Sequence, residues 1–138
     1  MIVKVSALIV YDNKILGVLK KKHQNFWILP GGKVRNNEKL KSALYRELWE
    51  ELEIVKRNVK SMKYLMDFST SSQFSKDELL TKLFKVVLYD NNKINPSHEI
   101  LKYSWIDVNT ANQRNDIATG FSDIVIPMIK EKKILWEA

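Results

Sequence analysis

The sequence predicts an α/β fold, and three observations carry that prediction. Several segments rich in Val and Ile, among them Ile2 to Tyr11, Val59 to Phe68 and Leu79 to Tyr89, have strand composition. Leu40, Leu44, Leu48 and Leu52 recur every four residues, which is helical spacing. A second apolar stripe of Ile124, Val125, Met128 and Ile129 marks another helix.

Taken in order, Ile2 to Tyr11 reads as a strand, Asp12-Asn13 as a turn and Ile15 to Leu19 as a second strand. Lys20, Lys21 and Lys22 leave the sheet and His23 to Asn25 form a loop. Phe26 to Leu29 is a short strand that breaks into a loop at Pro30-Gly31-Gly32. The helix runs from about Glu38 to Leu52, capped by Asn36 or Asn37, with Glu38 in the first turn facing the positive end of the dipole. Beyond the strand at Val59 to Phe68 come a polar loop at Ser69 to Asp77, the strand at Leu79 to Tyr89, a turn at Asp90-Asn91-Asn92 and a strand at Ile100 to Ile106. Ser122 to Lys132 is the second helix, with Ser122 as N-cap and Pro127 bending it or delaying its start. No internal repeat, low-complexity tract or linker interrupts the pattern. A chain of 138 residues supports one core, so residues 1–138 are read as a single domain.

Composition narrows the chemistry. Hydrophobic residues at 45% and charged residues at 28% are ordinary globular usage, which sets aside collagen-like, disordered and disulfide-scaffold classes. The absence of Cys removes disulfides, thiol nucleophiles and thiolate zinc sites, and two histidines, His23 and His98, are too few for a histidine cage. Any metal must therefore sit on oxygen ligands. The net charge of +7 favours an anionic partner, while a solvated basic surface explains it equally well. No apolar run approaches the ~18 residues of a membrane span, and no secretory signal pattern is present, so a cytoplasmic protein without membrane contact is expected.

Inside the first helix, Arg46-Glu47-Leu48-Trp49-Glu50-Glu51 places three carboxylates within an arc of about 100°, with Glu50 and Glu51 one turn above Glu47. Acidic runs on helices are ordinarily solvated faces. Here, however, the helix follows Gly31-Gly32-Lys33, where two glycines admit a ligand close to the backbone and a lysine adds a cation. Carboxylates so close repel one another unless a cation compensates, and hard oxygen donors suit Mg²⁺ or Mn²⁺.

The segment from Gly32 to Ile54 resembles the Nudix box: Gly, five residues, Glu38, seven residues, Arg46-Glu47, an aliphatic, any residue, Glu50-Glu51, any residue, Gly, an aliphatic. Every fixed position matches except the last glycine, which is Glu53. A Glu in the left-handed conformation would cost on the order of 1 kcal/mol or force a different helix exit. Asn37, where many members have Gly, is a milder departure.

The resemblance implies the family's α/β/α sandwich, a mixed central sheet with the metal-binding helix on one face and the C-terminal helix on the other. It implies attack of water on a phosphorus of a nucleoside diphosphate derivative. By position, Glu47, Glu50 and Glu51 would ligate Mg²⁺ or Mn²⁺ with the Gly31 carbonyl. Arg46 would orient Glu47, Lys33 would contact phosphate with Gly32 beside it, and Glu38 would brace the loop against the helix. Many members use a Glu outside the box as general base, for which Glu99 is the candidate and His98 the alternative. Of the aromatics Phe26, Trp27, Tyr64, Phe68, Phe74 and Phe84, most are expected in the core, with Phe74 placed to form a flap over substrate.

The expected activity is MutT-like hydrolysis of a nucleoside triphosphate to monophosphate and pyrophosphate. The alternatives are ADP-ribose hydrolysis, removal of pyrophosphate from the 5′ end of RNA, and a nucleotide-binding regulator without turnover. The Ser and Thr around Thr70, where ADP-ribose enzymes often carry Pro, weaken the first. The absence of an RNA-reading motif with interleaved aromatics disfavours nucleic acid as a partner. Three intact carboxylates argue against a pure binder. A small nucleotide is the expected partner, with the protein a monomer or homodimer.

Overall fold

The computed structural model of the protein describes residues 1–71 and 76–131. Strand β1 (Ile2–Tyr11) turns through Asp12 and Asn13, both left-handed, into β2 (Lys14–Lys20). Then follow β3 (His23–Ile28), β4 (Gly31–Lys33), helix α1 (Leu40–Leu52), β5 (Val59–Ser71), β6 (Glu78–Leu88), β7 (Ile100–Asp107) and, after a π-helical segment at Gly120–Val125, helix α2 (Ile126–Lys130). No described helix is long and apolar enough to cross a membrane.

The sheet is mixed. Its path is β3-β2-β1-β6-β5, with β4 added to β1 and β7 to β2. Among the described strands the central β1–β6 pair alone is parallel, in register from Ile2 with Leu79 to Ile9 with Val86, and a single parallel bridge joins Trp27 to Ile117. Alternation along β1 sends Val5, Ala7 and Ile9 toward α1, whose Ala43, Leu44, Leu48 and Leu52 are fully buried. Leu8 and Val10 point the other way, to a core with Trp27, Phe121, Val125 and Ile129. Helices thus cover both faces of one sheet, giving the α/β/α sandwich. Each buried Leu of α1 stabilises this arrangement by roughly 1.5–3 kcal/mol.

Several boundaries differ from the sequence reading. His23 to Asn25, expected as a loop, are strand, because β3 pairs with β2 at Lys20–His23 and Val18–Ile28 and its solvent-facing edge tolerates Gln24 and Asn25. Gly31 to Lys33 form the short strand β4 against Lys4 to Ser6 where a loop was expected. Glu38 precedes α1, Lys39 stands at the N-cap without a side-chain bond, and Asn37 is left-handed with φ 63° rather than a cap. Ser69 to Ser71 continue β5. Ser122 lies inside the π-helical segment and caps nothing. Phe74 and Lys132 fall outside the described residues.

Glu53 takes the left-handed exit that a glycine would, at φ 53° and ψ 31°. The Glu53 N–H donates to the Trp49 carbonyl and the Ile54 N–H to the Leu48 carbonyl, so two of the last carbonyls are satisfied at the left-handed turn, with Ile54 buried beneath it. The departure from the box therefore leaves the helix exit unchanged.

Candidate active site

α1 presents its carboxylates where β4 ends. The Gly31 N–H donates to Glu51 Oε1 at 2.9 Å, and Glu51 is only 2% exposed. Its second oxygen, Oε2, is buried with no hydrogen-bond partner among the described residues. Burial pushes the Glu51 carboxyl up to about 8, against the pull of the Gly31 N–H and with Glu47 adding to the rise. Glu47 is raised as well, by burial first, although Arg46 pulls it down. Two glycines make this approach possible. Gly31 has φ 149°, and a Cβ there would sit on the Val5 carbonyl; a Cβ on Gly32 would overlap the Glu47 carboxylate.

Arg46 organises the rim. Its Nε and Nη2 form a fork on Glu38 at 2.8 and 2.9 Å, Nη1 reaches Glu47 Oε1 at 2.8 Å, and Nη2 also donates to the Lys33 carbonyl at 3.0 Å. Glu38 in turn accepts the Arg35 N–H at 3.0 Å, so it ties the loop to the helix, and these bonds hold its carboxyl down at about 2. Glu50 stands apart. It is half-exposed, 3.5 Å from Arg46 and 3.8 Å from Arg35. Among the described residues, no three His, Asp or Glu side chains are already gathered as a metal cage. The donor set still fits a hard cation, because the orphaned Glu51 Oε2 is a buried oxygen that has no partner within the described protein.

The last carbonyls of α1 are taken by the segment before β7. The Asn95 N–H donates to Leu52 and the Ser97 N–H to Glu51. His98 is left-handed, with Nδ1 2.9 Å from the Glu50 carbonyl. The same nitrogen lies 2.9 Å from the Ser97 hydroxyl, so His98 sits against the helix end, and it does not line the cleft. Its neighbour Glu99 does face the cleft, 3.7 Å from Lys20.

These groups border a cleft of about 430 Å³. Its lining includes Glu47, Gly31, Gly32 and Lys33, where the carboxylates approach β4, together with Leu79 and the group of Phe68, Thr70 and Gly120. A bulge in β5 aims two of these. Tyr64 pairs with Phe84 but Met66 pairs with Leu83, so one extra residue reverses the strand's facing and turns Phe68 and Thr70 into the cleft. Trp27 and Phe84 are core, and Tyr64 packs edge-on against Phe84 at 5.7 Å.

The NUDIX domain profile matches residues 2–125. The chain belongs to the NUDIX domain family. Membership makes it a Nudix hydrolase, an enzyme that cleaves pyrophosphate linkages. No protein of curated function matches it in sequence. Among solved structures, a MutT protein from Methanosarcina mazei Go1 superposes with a TM-score of 0.78 at 23% identity, covering 96% of each chain. The dihydroneopterin triphosphate pyrophosphohydrolase of E. coli gives 0.73 at 18% identity, covering 94% of this chain and 95% of that one. A bifunctional NMN adenylyltransferase/ADP ribose pyrophosphatase from Francisella tularensis, complexed with AMP and a Mn ion, gives 0.71 at 24% identity; the match covers 94% of this chain and 41% of that one. At these identities the likeness is one of fold.

The Nudix box accounts for Glu38, Arg46, Glu47 and Glu51, but not for Lys4. That lysine lines the cleft from β1, and the sequence reading passed over it. A signal existed: Lys4 is in phase with Ser6, Leu8 and Val10, one of the two buried faces of its strand, where a lone cation is out of place.

Proposed function

We propose that the chain is a MutT-like, Mg²⁺-dependent nucleoside triphosphate pyrophosphohydrolase that acts as one cytoplasmic domain over residues 1–138 and releases monophosphate and pyrophosphate. The observation that carries this reading is the buried Glu51 with its orphaned oxygen, set beside Glu47 at the end of a cleft that also presents Lys33, Lys20 and Lys4. Glu47, Glu50, Glu51 and the Gly31 carbonyl would hold the Mg²⁺, with Mn²⁺ as a substitute. When bound, a divalent cation neutralises phosphate oxygens and lowers the pKa of water.

The chain's own residues do the rest. Arg46 holds Glu47 and, through Glu38, fixes the loop that carries Lys33. Lys33 meets a phosphate beside Gly32, where no side chain intervenes. Glu99 accepts the proton of the attacking water at its carboxylate, within the field of Lys20. His98 is left out of that role because it sits at the end of α1 and does not line the cleft.

The test is a turnover screen with Mg²⁺ over nucleoside triphosphates, oxidised dGTP, ADP-ribose, dinucleoside polyphosphates and 5′-triphosphorylated RNA. Preferred cleavage of a triphosphate to monophosphate and pyrophosphate supports the reading. Preference for ADP-ribose, a dinucleoside polyphosphate or 5′-triphosphorylated RNA overturns the substrate, and no turnover at all overturns the catalytic assignment. Glu51→Gln is expected to cut turnover by at least about 100-fold while the protein stays folded, since it removes one charge without changing size.

A further inference from the structure

We propose that Lys4 is a substrate-binding residue, a phosphate contact on the floor of the cleft beside the carboxylate end. The proposal rests on the reading of this cleft as a polyphosphate site. Register places the side chain. Lys4 is the partner of Lys33 on β4 and of Thr81 on β6, and Thr81 is the partner of Phe68 on β5. Directly paired residues share a face, so one row of side chains crosses the sheet as cation, cation, hydroxyl and ring. All four line the same cleft. Lys20 enters it from β2.

What separates Lys4 from the other two lysines is its setting. Lys33 is exposed at the mouth, and Lys20 is paired with Glu99. Lys4 is half-buried, and among the described residues its ammonium has neither an ion pair nor a hydrogen bond. Burial, and Lys20 after it, lower its pKa, while Glu51 and Glu47 act in the opposite sense. An ammonium that has lost water without gaining a partner is costly to keep. An anion entering the cleft would supply the missing acceptors, and Lys4 can give up to three hydrogen bonds to it. The carboxylate end asks for a cation, and Lys4, at its border, asks for an anion. A polyphosphate with a divalent cation satisfies both.

The experiment is calorimetric titration of inorganic pyrophosphate, once in EDTA and once with Mg²⁺, onto the wild type, Lys4→Met, Lys4→Arg and Lys21→Met, each checked by thermal melting. Lys21 is exposed and outside the cleft. Lys4→Met is expected to weaken pyrophosphate about tenfold, the loss of one charge-assisted contact, and Lys21→Met to leave it unchanged. Lys4→Arg keeps the charge and stays within about threefold of wild type. Should Lys4→Met fail to fold, the NMR shift of the Lys4 ε-methylene on titrating pyrophosphate into the wild type decides. Equal affinity for Lys4→Met and wild type, an unmoved ε-methylene, or no binding to the wild type in either buffer overturns the proposal. A loss in Lys4→Met that is indifferent to Mg²⁺ upholds the contact while removing support for the metal-dependent reading.

Discussion

Glu51 is a carboxyl whose surroundings favour its proton. In the unfolded chain it titrates near the ordinary value of 4.5; in the metal-free fold it is pushed up to about 8. Between those values the native state binds the extra proton, so unfolding free energy falls as pH rises through that window. The expected loss across it is on the order of a few kcal/mol, with stability flat in this respect below about 4.5. Denaturant melts in EDTA from pH 5 to pH 8.5 check this, and Glu51→Gln, which has no proton to lose, should flatten the slope that remains after Glu47 is accounted for. The residue types at this site were legible in the sequence, since spacing alone put Glu47 and Glu51 on one arc of a helix. That Glu50 would stand out at the rim with Arg35 was not, because an arc of about 100° fixes direction from the axis and not the partners a side chain meets.

At the scale of elements, the stop of α1 stores a small strain. Glu53 holds φ 53° where a residue with a Cβ is disfavoured. Glu53→Gly is expected to raise stability by on the order of 0.5–1 kcal/mol, the relief of the left-handed cost less the extra freedom of glycine in the unfolded chain. A shift in the urea midpoint without a change in slope measures it. The same helix was legible to its last residue, because four leucines at one-turn spacing run to Leu52. Its start was less so: Asn36 and Asn37 look like caps, but Asn37 is spent on a left-handed turn and Glu38 on Arg46. The β5 bulge left no mark that alternation could show, since a register shift is decided by the strand it pairs with.

On the scale of the whole molecule, a basic protein encloses an acidic end in a cleft bordered by lysines. Adding Mg²⁺ at pH 8 is expected to raise the thermal midpoint by several degrees, because a ligand that binds only the folded form stabilises it by mass action and relieves the Glu47–Glu51 repulsion. Differential scanning calorimetry with and without EDTA tests this, and an unchanged midpoint at millimolar Mg²⁺ would count against the carboxylates as ligands. The sheet covered on both faces was an expectation of the family resemblance, and the strand order was not legible in the sequence. Nothing local in Ile2 to Ile9 names Leu79 to Val86 as its neighbour.

That parallel pairing governs how the chain comes to be folded. β1 lies at the centre of the sheet, but its β6 partner is synthesised roughly 80 residues later, which at ordinary elongation rates is on the order of 4–15 s. For that interval β1 carries an open hydrogen-bonding edge on its β6 side and two apolar faces, with the β2 hairpin, β4 and α1 as its early companions. The strand at the centre of the finished enzyme is therefore open to mispairing on the ribosome until β6 arrives to close it.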